Sequence, residues 1–253
     1  MLKALLKYRK KAVNAHGVHS PFVFEFYNEV LKKANSYEDE DIQRLRKKLK
    51  KDNSLIDITD LGAGSRKKKS NQRSLSELVK YSAISSKYGQ LIGRMVEFYK
   101  MDYCLELGTS MGLGTAYMAA NAKEVVTIEG CSNIFAQANK NFDALAQTNI
   151  KAINAEFDIG IIEAEQIHSE YDLIYIDGNH QYDATIKYFK HFIEKAKNDT
   201  FLIFDDIRWS EGMEKAWQEI IASDKINVSI ELFRMGIVLK RQEQEKQHFI
   251  LKF

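Results

Sequence analysis

The stretch "CLELGTSMGLGTAYMAA" occupies residues 104–120. A short apolar run ends at Glu106. Gly108, Gly112 and Gly114 follow, with Thr109, Ser110 and Thr115 among them, and then small and apolar residues suited to a helix. Glycines let a backbone approach a ligand closely, and a helix start presents N–H groups that its own turns do not use. An earlier stretch, "ITDLGAGSRKKKSNQR" at 58–73, begins in the same way but continues differently. Arg66, Lys67, Lys68 and Lys69 stand where an apolar helix should start, and no acid-tipped strand follows near Ser82. After the 104–120 stretch such a strand does follow. "EVVTIEG" ends in Glu129 and Gly130, with Glu129 placed to accept hydrogen bonds from ribose hydroxyls. A nucleoside site is therefore expected at 104–130. The 58–73 stretch has two readings: a glycine-hinged basic lid favouring an anionic substrate, or a solvated loop.

Outward from this loop, the rest of the chain after residue 100 alternates strand with helix. "YCLELG", "EVVTIEG", "IKAINA", "YDLIYIDG" and "TFLIFDD" are short apolar runs. They are continuously apolar, as expected of parallel strands covered on both faces. Between them, Ile134, Ala138, Phe142 and Leu145 share a helical face, as do Tyr182, Ile186, Phe189 and Ile193. "INVSIELF" and "GIVLKRQ" are separated only by Arg234-Met235. That link is too short for a parallel crossover and predicts a hairpin. The expected fold is α/β, a Rossmann-like doubly wound sheet of seven strands, mostly parallel and closed by an antiparallel hairpin strand. Before it, residues 1–13 suit a basic amphipathic helix, either solvated or lying on an anionic membrane. Ser20 and Pro21 suit the cap and first position of a helix carrying Phe22, Phe26 and Val30 on one face. A charged helix over 37–51, an irregular basic stretch over 53–73 and two helices between Ser74 and Lys100 follow. The expected division is a helical cap at 1–84 and a catalytic domain at 85–253.

Bulk properties restrict the partners. The formal charge of +2 exerts no strong pull toward nucleic acid or membrane. The cysteines, Cys104 and Cys131, have no zinc or CxxC spacing and suit a reducing cytoplasm. The start "MLKALLKYRKKAV" carries too short an apolar run for a signal peptide, and no run long enough to span a bilayer occurs. The glycine pattern, G-x-x-x-G-x-G, differs from the G-x-G-x-x-G of dinucleotide folds.

"LELGTSMGLGTAYMA", with "TIEG", "DLIYIDGNHQY" and "IFDDIRWSEG", resembles the class I S-adenosylmethionine-dependent methyltransferases, whose sheet also ends in an antiparallel hairpin strand. Within that class the chain is most similar to O-methyltransferases of the catechol type and to sugar O-methyltransferases with an Asp-Gly-x-His motif. "SSKYGQLIGRMV" is similar to the Lys-x-Gly-Gln helix of the catechol group, and the resemblance covers about 85–240. It implies S-adenosylmethionine as cofactor, with Glu106, Gly108, Thr109, Ser110 and Gly112 on its methionine side. It places Glu129 and Gly130 at the ribose, and Glu156 and Phe157 near the adenine. "HGVHSPF" at 16–22 is similar to the N-terminal segment of a bacterial methyltransferase subgroup.

Asp177 ends the fourth apolar run, and Asp205 and Asp206 end the fifth. Convergent carboxylates repel one another, and a hard cation such as Mg²⁺ would neutralise them and lower the proton affinity of a substrate hydroxyl. Alternatively, Asp177 orients the cofactor amine or caps the next helix, and Asp205 and Asp206 are turn residues. The catechol type carries Asp, Asp and Asn at these positions, so Asp206 is a departure. His180 stands where that type has its lysine base and where the sugar type has histidine. An imidazole can take a hydroxyl proton near neutral pH, which makes His180 with Asp177 the candidate catalytic pair. Trp209 either walls the substrate pocket or sits in the core. His16 and His19 lack a third metal ligand nearby and suit a structural or lid role. The expected partner is a small hydroxylated molecule, with a homodimer allowed and no nucleic acid, since no Asn/Asp-Pro-Pro-Tyr/Phe motif of amino-methylating enzymes occurs. The rival readings are a non-catalytic cofactor-binding protein and an NAD-type oxidoreductase.

Overall fold

A computed structural model of the chain describes residues 2–37, 39–59 and 71–253. The glycine-hinged basic segment with Gly62, Gly64 and Lys67–Lys69 lies outside the described residues. In chain order the helices are α1 (Leu2–Lys11), α2 (Pro21–Glu25), α3 (Glu40–Leu49), α4 (Leu75–Tyr81), α5 (Ser86–Tyr99), α6 (Leu113–Ala119), α7 (Ser132–Ala144), α8 (Phe157–Ile167), α9 (Tyr182–Lys195) and α10 (Glu211–Ala222). The strands are β1 (Leu55–Asp57), β2 (Gln72–Ser74), β3 (Tyr103–Leu107), β4 (Glu124–Ile128), β5 (Ile150–Ile153), β6 (Leu173–Ile176), β7 (Phe201–Phe204), β8 (Val228–Leu232), β9 (Met235–Leu239) and β10 (Gln247–Ile250). The fold is α/β and Rossmann-like, on a mostly parallel sheet of eight strands. One strand exceeds the seven expected. It is β10, parallel to β8 with Phe249 opposite Ile230. Its residues Gln247 and His248 are exposed, so it lacks the continuous apolar run that marks the other sheet strands.

The chain forms two compact units, Met1–Lys32 with Glu170–Phe253, and Lys33–Ser169. In the 33–169 unit, β3, β4 and β5 run parallel, with Leu107 opposite Ile128 and Ile128 opposite Ile153. This register brings the residues after each strand, Gly108, Glu129 and Asn154, to one end of the sheet. Helix α6 is buried along all seven residues. It is locked by Tyr117, whose hydroxyl donates to Asp39 Oδ2 at 2.6 Å and accepts from Gln43 Nε2 at 2.9 Å. Gly89 on α5 gives Tyr117 room, because a Cβ there would collide with its ring. The stretch expected to be irregular holds a short antiparallel ladder, β1 with β2, Ile56 opposite Arg73. Strands of three residues are too short to leave a periodicity to read.

In the other unit, β6 and β7 are parallel, with Ile176 opposite Phe204. β9 pairs antiparallel with both β7 and β8. The hairpin turn is Phe233-Arg234, one residue earlier than the expected Arg234-Met235 link, and Phe233 takes the left-handed backbone at φ +66°. Every residue of β6, β7, β8 and β9 is buried, as their apolar runs imply. The N-terminal segment docks here: the Tyr8 hydroxyl donates to the Leu251 carbonyl, and Val13 N–H donates to Ile250 O at 2.8 Å. Pro21 opens α2 as expected, and Ser20 caps it, accepting from Val23 N–H at 3.3 Å while donating to Gln244 Oε1 at 2.7 Å. Replacing Ser20 with Ala removes both bonds at a buried position. We expect a loss of about 1–2 kcal/mol, measured as a lower midpoint in urea unfolding.

Candidate functional site

The glycine loop leaves β3 at Gly108, with φ +103°, and reaches α6 through Ser110 at φ +49° and Gly112 at φ +73°. Gly112 must be glycine on two counts: its backbone is left-handed, and a Cβ would strike the Phe142 ring. Glu129 straps the loop to the turn after β4. Its Oε2 accepts from Ser110 N–H at 3.0 Å and its Oε1 from Cys131 N–H at 2.9 Å. Burial raises the Glu129 pKa, opposed by those backbone donors. Beneath the loop, Glu106 is 1 % exposed. Its Oε2 accepts from the Thr127 hydroxyl at 2.6 Å and from the Thr115 hydroxyl, and Thr127 in turn pairs with Thr109 Oγ1 at 2.6 Å. Burial pushes the Glu106 pKa up to about 7, against those two hydroxyl bonds. The Glu106 carboxyl and the Thr109 hydroxyl are thus turned under the loop. Ser110 Oγ is buried and, among the described residues, has no hydrogen-bond partner. An orphaned hydroxyl at a left-handed loop tip fits a polar ligand such as the cofactor's amino-acid end. Gly130 is half-buried beside Glu129, whereas Glu156 is exposed and Phe157, the first residue of α8, is half-buried.

In the other unit the parallel register of β6 and β7 brings Asp177 and Asp205 to one end of the sheet. The buried Tyr175 hydroxyl lies between them, 3.1 Å from Asp177 Oδ2 and 3.2 Å from Asp205 Oδ2. His180 Nε2 is 3.6 Å from Asp177 Oδ1. Asp205 Oδ1 accepts from Asp206 N–H at 2.8 Å. Arg234 supplies the positive charge: Nε donates to Asp206 Oδ1 at 3.0 Å, while Nη2 lies 2.8 Å from that oxygen and 3.7 Å from Asp205 Oδ2. Burial raises the Asp205 pKa, with Asp206 adding to it, and the Arg234 pKa is raised by the facing carboxylates. Asn179, at φ +48° between Asp177 and His180, holds a buried Oδ1 without a partner among the described residues.

The donor set suits Mg²⁺ poorly. Both oxygens of Asp205 and one of Asp206 already face Arg234, Tyr175 or a backbone N–H, and Mg²⁺ demands close, near-octahedral oxygen contacts. Among the described residues no group of three or more His, Cys, Asp or Glu stands ready to hold a metal ion. Trp209 is 44 % exposed, so it is not a core residue, and the core tryptophan is Trp217. His16 and His19 are exposed, and His16 lies in a single 3₁₀ turn capped by Asn14. A cavity of about 490 Å³ bordered by Tyr8, Arg208, Glu231 and His248 includes none of the candidate site residues.

Tyr175 and Arg234 were absent from the sequence expectations. Tyr175 had a signal, because a residue two before Asp177 on a strand shares its face. Arg234 had one only through register. It sits in the turn before β9, which pairs with β7 so that Gly236 opposes Phe204, next to the Asp205-Asp206 tip.

Residues 105–207 match a family described as a methyltransferase domain. Solved structures share the fold. An O-methyltransferase from Bacillus cereus in complex with SAH is 14 % identical, covering 83 % of this chain and 96 % of that one with a TM-score of 0.58. An SAH-bound methyltransferase from Podospora anserina is 13 % identical over 88 % and 98 %, with a TM-score of 0.61. The O-methyltransferase TomG from Streptomyces achromogenes, involved in tomaymycin synthesis and in complex with SAM, is 14 % identical over 62 % and 81 %, with a TM-score of 0.53. Among curated proteins, none matches the chain. Residues 105–207, from within β3 to just beyond β7, thus carry the match to a methyltransferase domain, and the solved structures show that the chain has the fold of these enzymes. No helix among the described residues is long and apolar enough to cross a membrane.

Glu106 has a folded pKa above its unfolded one, so the folded state holds the extra proton between about pH 4.5 and 7. Stability therefore falls as pH rises through that window, by on the order of 3 kcal/mol. Glu106→Gln should flatten this slope in urea unfolding series taken at stepped pH. Gly112→Ala should cost at least about 1–2 kcal/mol from the left-handed backbone, before any collision with Phe142 is counted.

Proposed function

We propose that the protein transfers the methyl group of S-adenosylmethionine to a hydroxyl of a small molecule, with His180 as general base. The observation that carries this is the pairing of His180 with Asp177 at the tip of β6. The cofactor would be held at the glycine loop by Gly108, Ser110 and Gly112, with Glu129 and Gly130 toward its ribose and Glu156 and Phe157 toward its adenine. The solved structures that share the fold support this choice, since they include methyltransferases bound to SAH or SAM. When bound, the cofactor supplies a methyl group on a sulfonium, already activated toward displacement.

The chain's own residues then have three tasks. The loop, locked by Glu129 and by the Glu106–threonine network, holds the methyl donor in one orientation, which is where much of the rate comes from. His180 turns Nε2 toward Asp177, so Nδ1 is the ring nitrogen that takes the acceptor's proton. Asp177 stabilises the imidazolium that results, and the 3.6 Å spacing is of the kind that tightens when substrate binds. Asn179 Oδ1 and the exposed face of Trp209 are the groups available to position the acceptor. Glu106 and Thr109 act from beneath the loop, through its backbone. Mg²⁺ has no step here, because the carboxylates it would use are already answered by Arg234. Residues 1–84 would act as a cap that selects the acceptor, and the protein would work as a soluble cytoplasmic enzyme.

The test is a methyl-transfer screen over phenols, catechols, sugars and carboxylic acids with wild type and His180→Ala. The variant should bind S-adenosylmethionine within about threefold of wild type while kcat drops by roughly 10²–10⁴. Unchanged turnover would remove His180 as base.

A further inference from the structure

We propose that Arg234 is the resident cation of the carboxylates at the ends of β6 and β7, standing where a divalent metal would otherwise be required. The transfer then needs no metal, and the acceptor is oriented by hydrogen bonds to a guanidinium instead of by chelation. The proposal rests on the methyltransferase reading given above and assigns its cation and the class of its acceptor.

Three observations meet at this point. First, the two donors Nε and Nη2 of Arg234 close on one oxygen of Asp206, and Nη2 also approaches Asp205. A guanidinium cannot lose its proton in the working range, so this neutralisation is permanent. Second, Tyr175 sets its hydroxyl within hydrogen-bond reach of Asp177 and Asp205 together. Two carboxylates about 3 Å from one oxygen would repel without a cation beside them. Tyr175 is thus a positioning residue that holds the pair at the spacing a bridging ion would otherwise set. Third, Asp206 adopts a left-handed backbone at φ +50°, which turns its carboxylate to the hairpin that carries Arg234. Asp206 is also the position where the sequence adds a negative charge. Of Asp205 and Asp206 it is the one that Arg234 approaches more closely, at 2.8 Å against 3.7 Å.

The consequence for substrate follows from the geometry of each cation. Chelation selects acceptors with two adjacent oxygens. The Arg234 side chain is 44 % exposed, and its Nη1 makes neither of the carboxylate contacts. It can donate to a single oxygen. The acceptor class is therefore a compound with one isolated hydroxyl, with no need for a vicinal diol or catechol.

MgCl₂ is the probe. Wild type saturated with S-adenosylmethionine, Arg234→Met and Arg234→Lys are titrated by calorimetry, each after a separate titration with S-adenosylmethionine. Wild type and Arg234→Lys should give no saturable Mg²⁺ heat up to about 5 mM, an affinity equivalent to roughly 3 kcal/mol. Arg234→Met should acquire saturable Mg²⁺ binding, because the carboxylates have lost their cation. Mg²⁺ binding by wild type overturns the proposal. So does an Arg234→Met protein that binds S-adenosylmethionine normally and still ignores Mg²⁺. Should the Met variant fail to fold, the wild-type titration decides: binding overturns the proposal and its lack supports it. Failure of wild type to bind S-adenosylmethionine would instead count against the methyltransferase reading.

Discussion

Carboxylates taken out of water have to be answered by protons, donors or cations, and the acids of this sheet are answered in each of those ways. Removing an ionised group from water without compensation costs several kcal/mol even after relaxation. Glu106 is met by threonine hydroxyls and by a pKa raised to about 7. Glu129 is met by the backbone N–H groups of Ser110 and Cys131. Asp205 and Asp206 are met by Arg234. Glu231, buried in β8, is met by Arg208 and by Trp217 Nε1 at 3.2 Å. Each solution also fixes a piece of backbone. The Glu129 bonds hold the glycine loop, the Glu106 network fastens α6 to β3 and β4, and Arg234 ties the β8–β9 turn to the end of β7.

That dependence explains what a reader of the sequence could and could not see. The continuous apolar runs of β6 and β7 announced buried strands, and they are buried at every residue. The spacing from Gly108 to Glu129 announced a loop, helix and acid-tipped strand. Ser20 and Pro21 announced the start of α2, and the short link read at Arg234-Met235 announced a hairpin, whose turn lies one residue earlier. All of these are local or periodic signals, decided by side-chain parity and by backbone preference. β10 was not visible because its outer residues are polar and its pairing with β8 is a long-range matter.

The partners of the acids were less legible. Nothing within a few residues of Asp205 and Asp206 says that a cation will come from the β8–β9 turn, because that follows only from the register of β9 on β7. The sequence allowed three convergent carboxylates held by a divalent cation, or turn residues beside Asp177, and the guanidinium that answers Asp205 and Asp206 is a tertiary fact. Tyr175 was closer to legible. A hydroxyl-bearing ring within an otherwise aliphatic strand, two residues before an acid, shares that acid's face and needs a partner when buried. The oxygens of Ser110 and Asn179 mark the opposite case, buried atoms with no hydrogen-bond partner among the described residues. Buried polar atoms are usually paired with protein groups or ordered water.

The most direct measurement is calorimetric titration of the intact protein with S-adenosylmethionine and, separately, with NAD, repeated for Glu129→Ala. Saturable one-to-one binding of S-adenosylmethionine, no binding of NAD and an affinity at least about tenfold weaker in the variant, equivalent to roughly 1.4 kcal/mol, are the predicted results. Absence of S-adenosylmethionine binding, or an affinity untouched by loss of the Glu129 carboxylate, would contradict the placement of the cofactor at this loop.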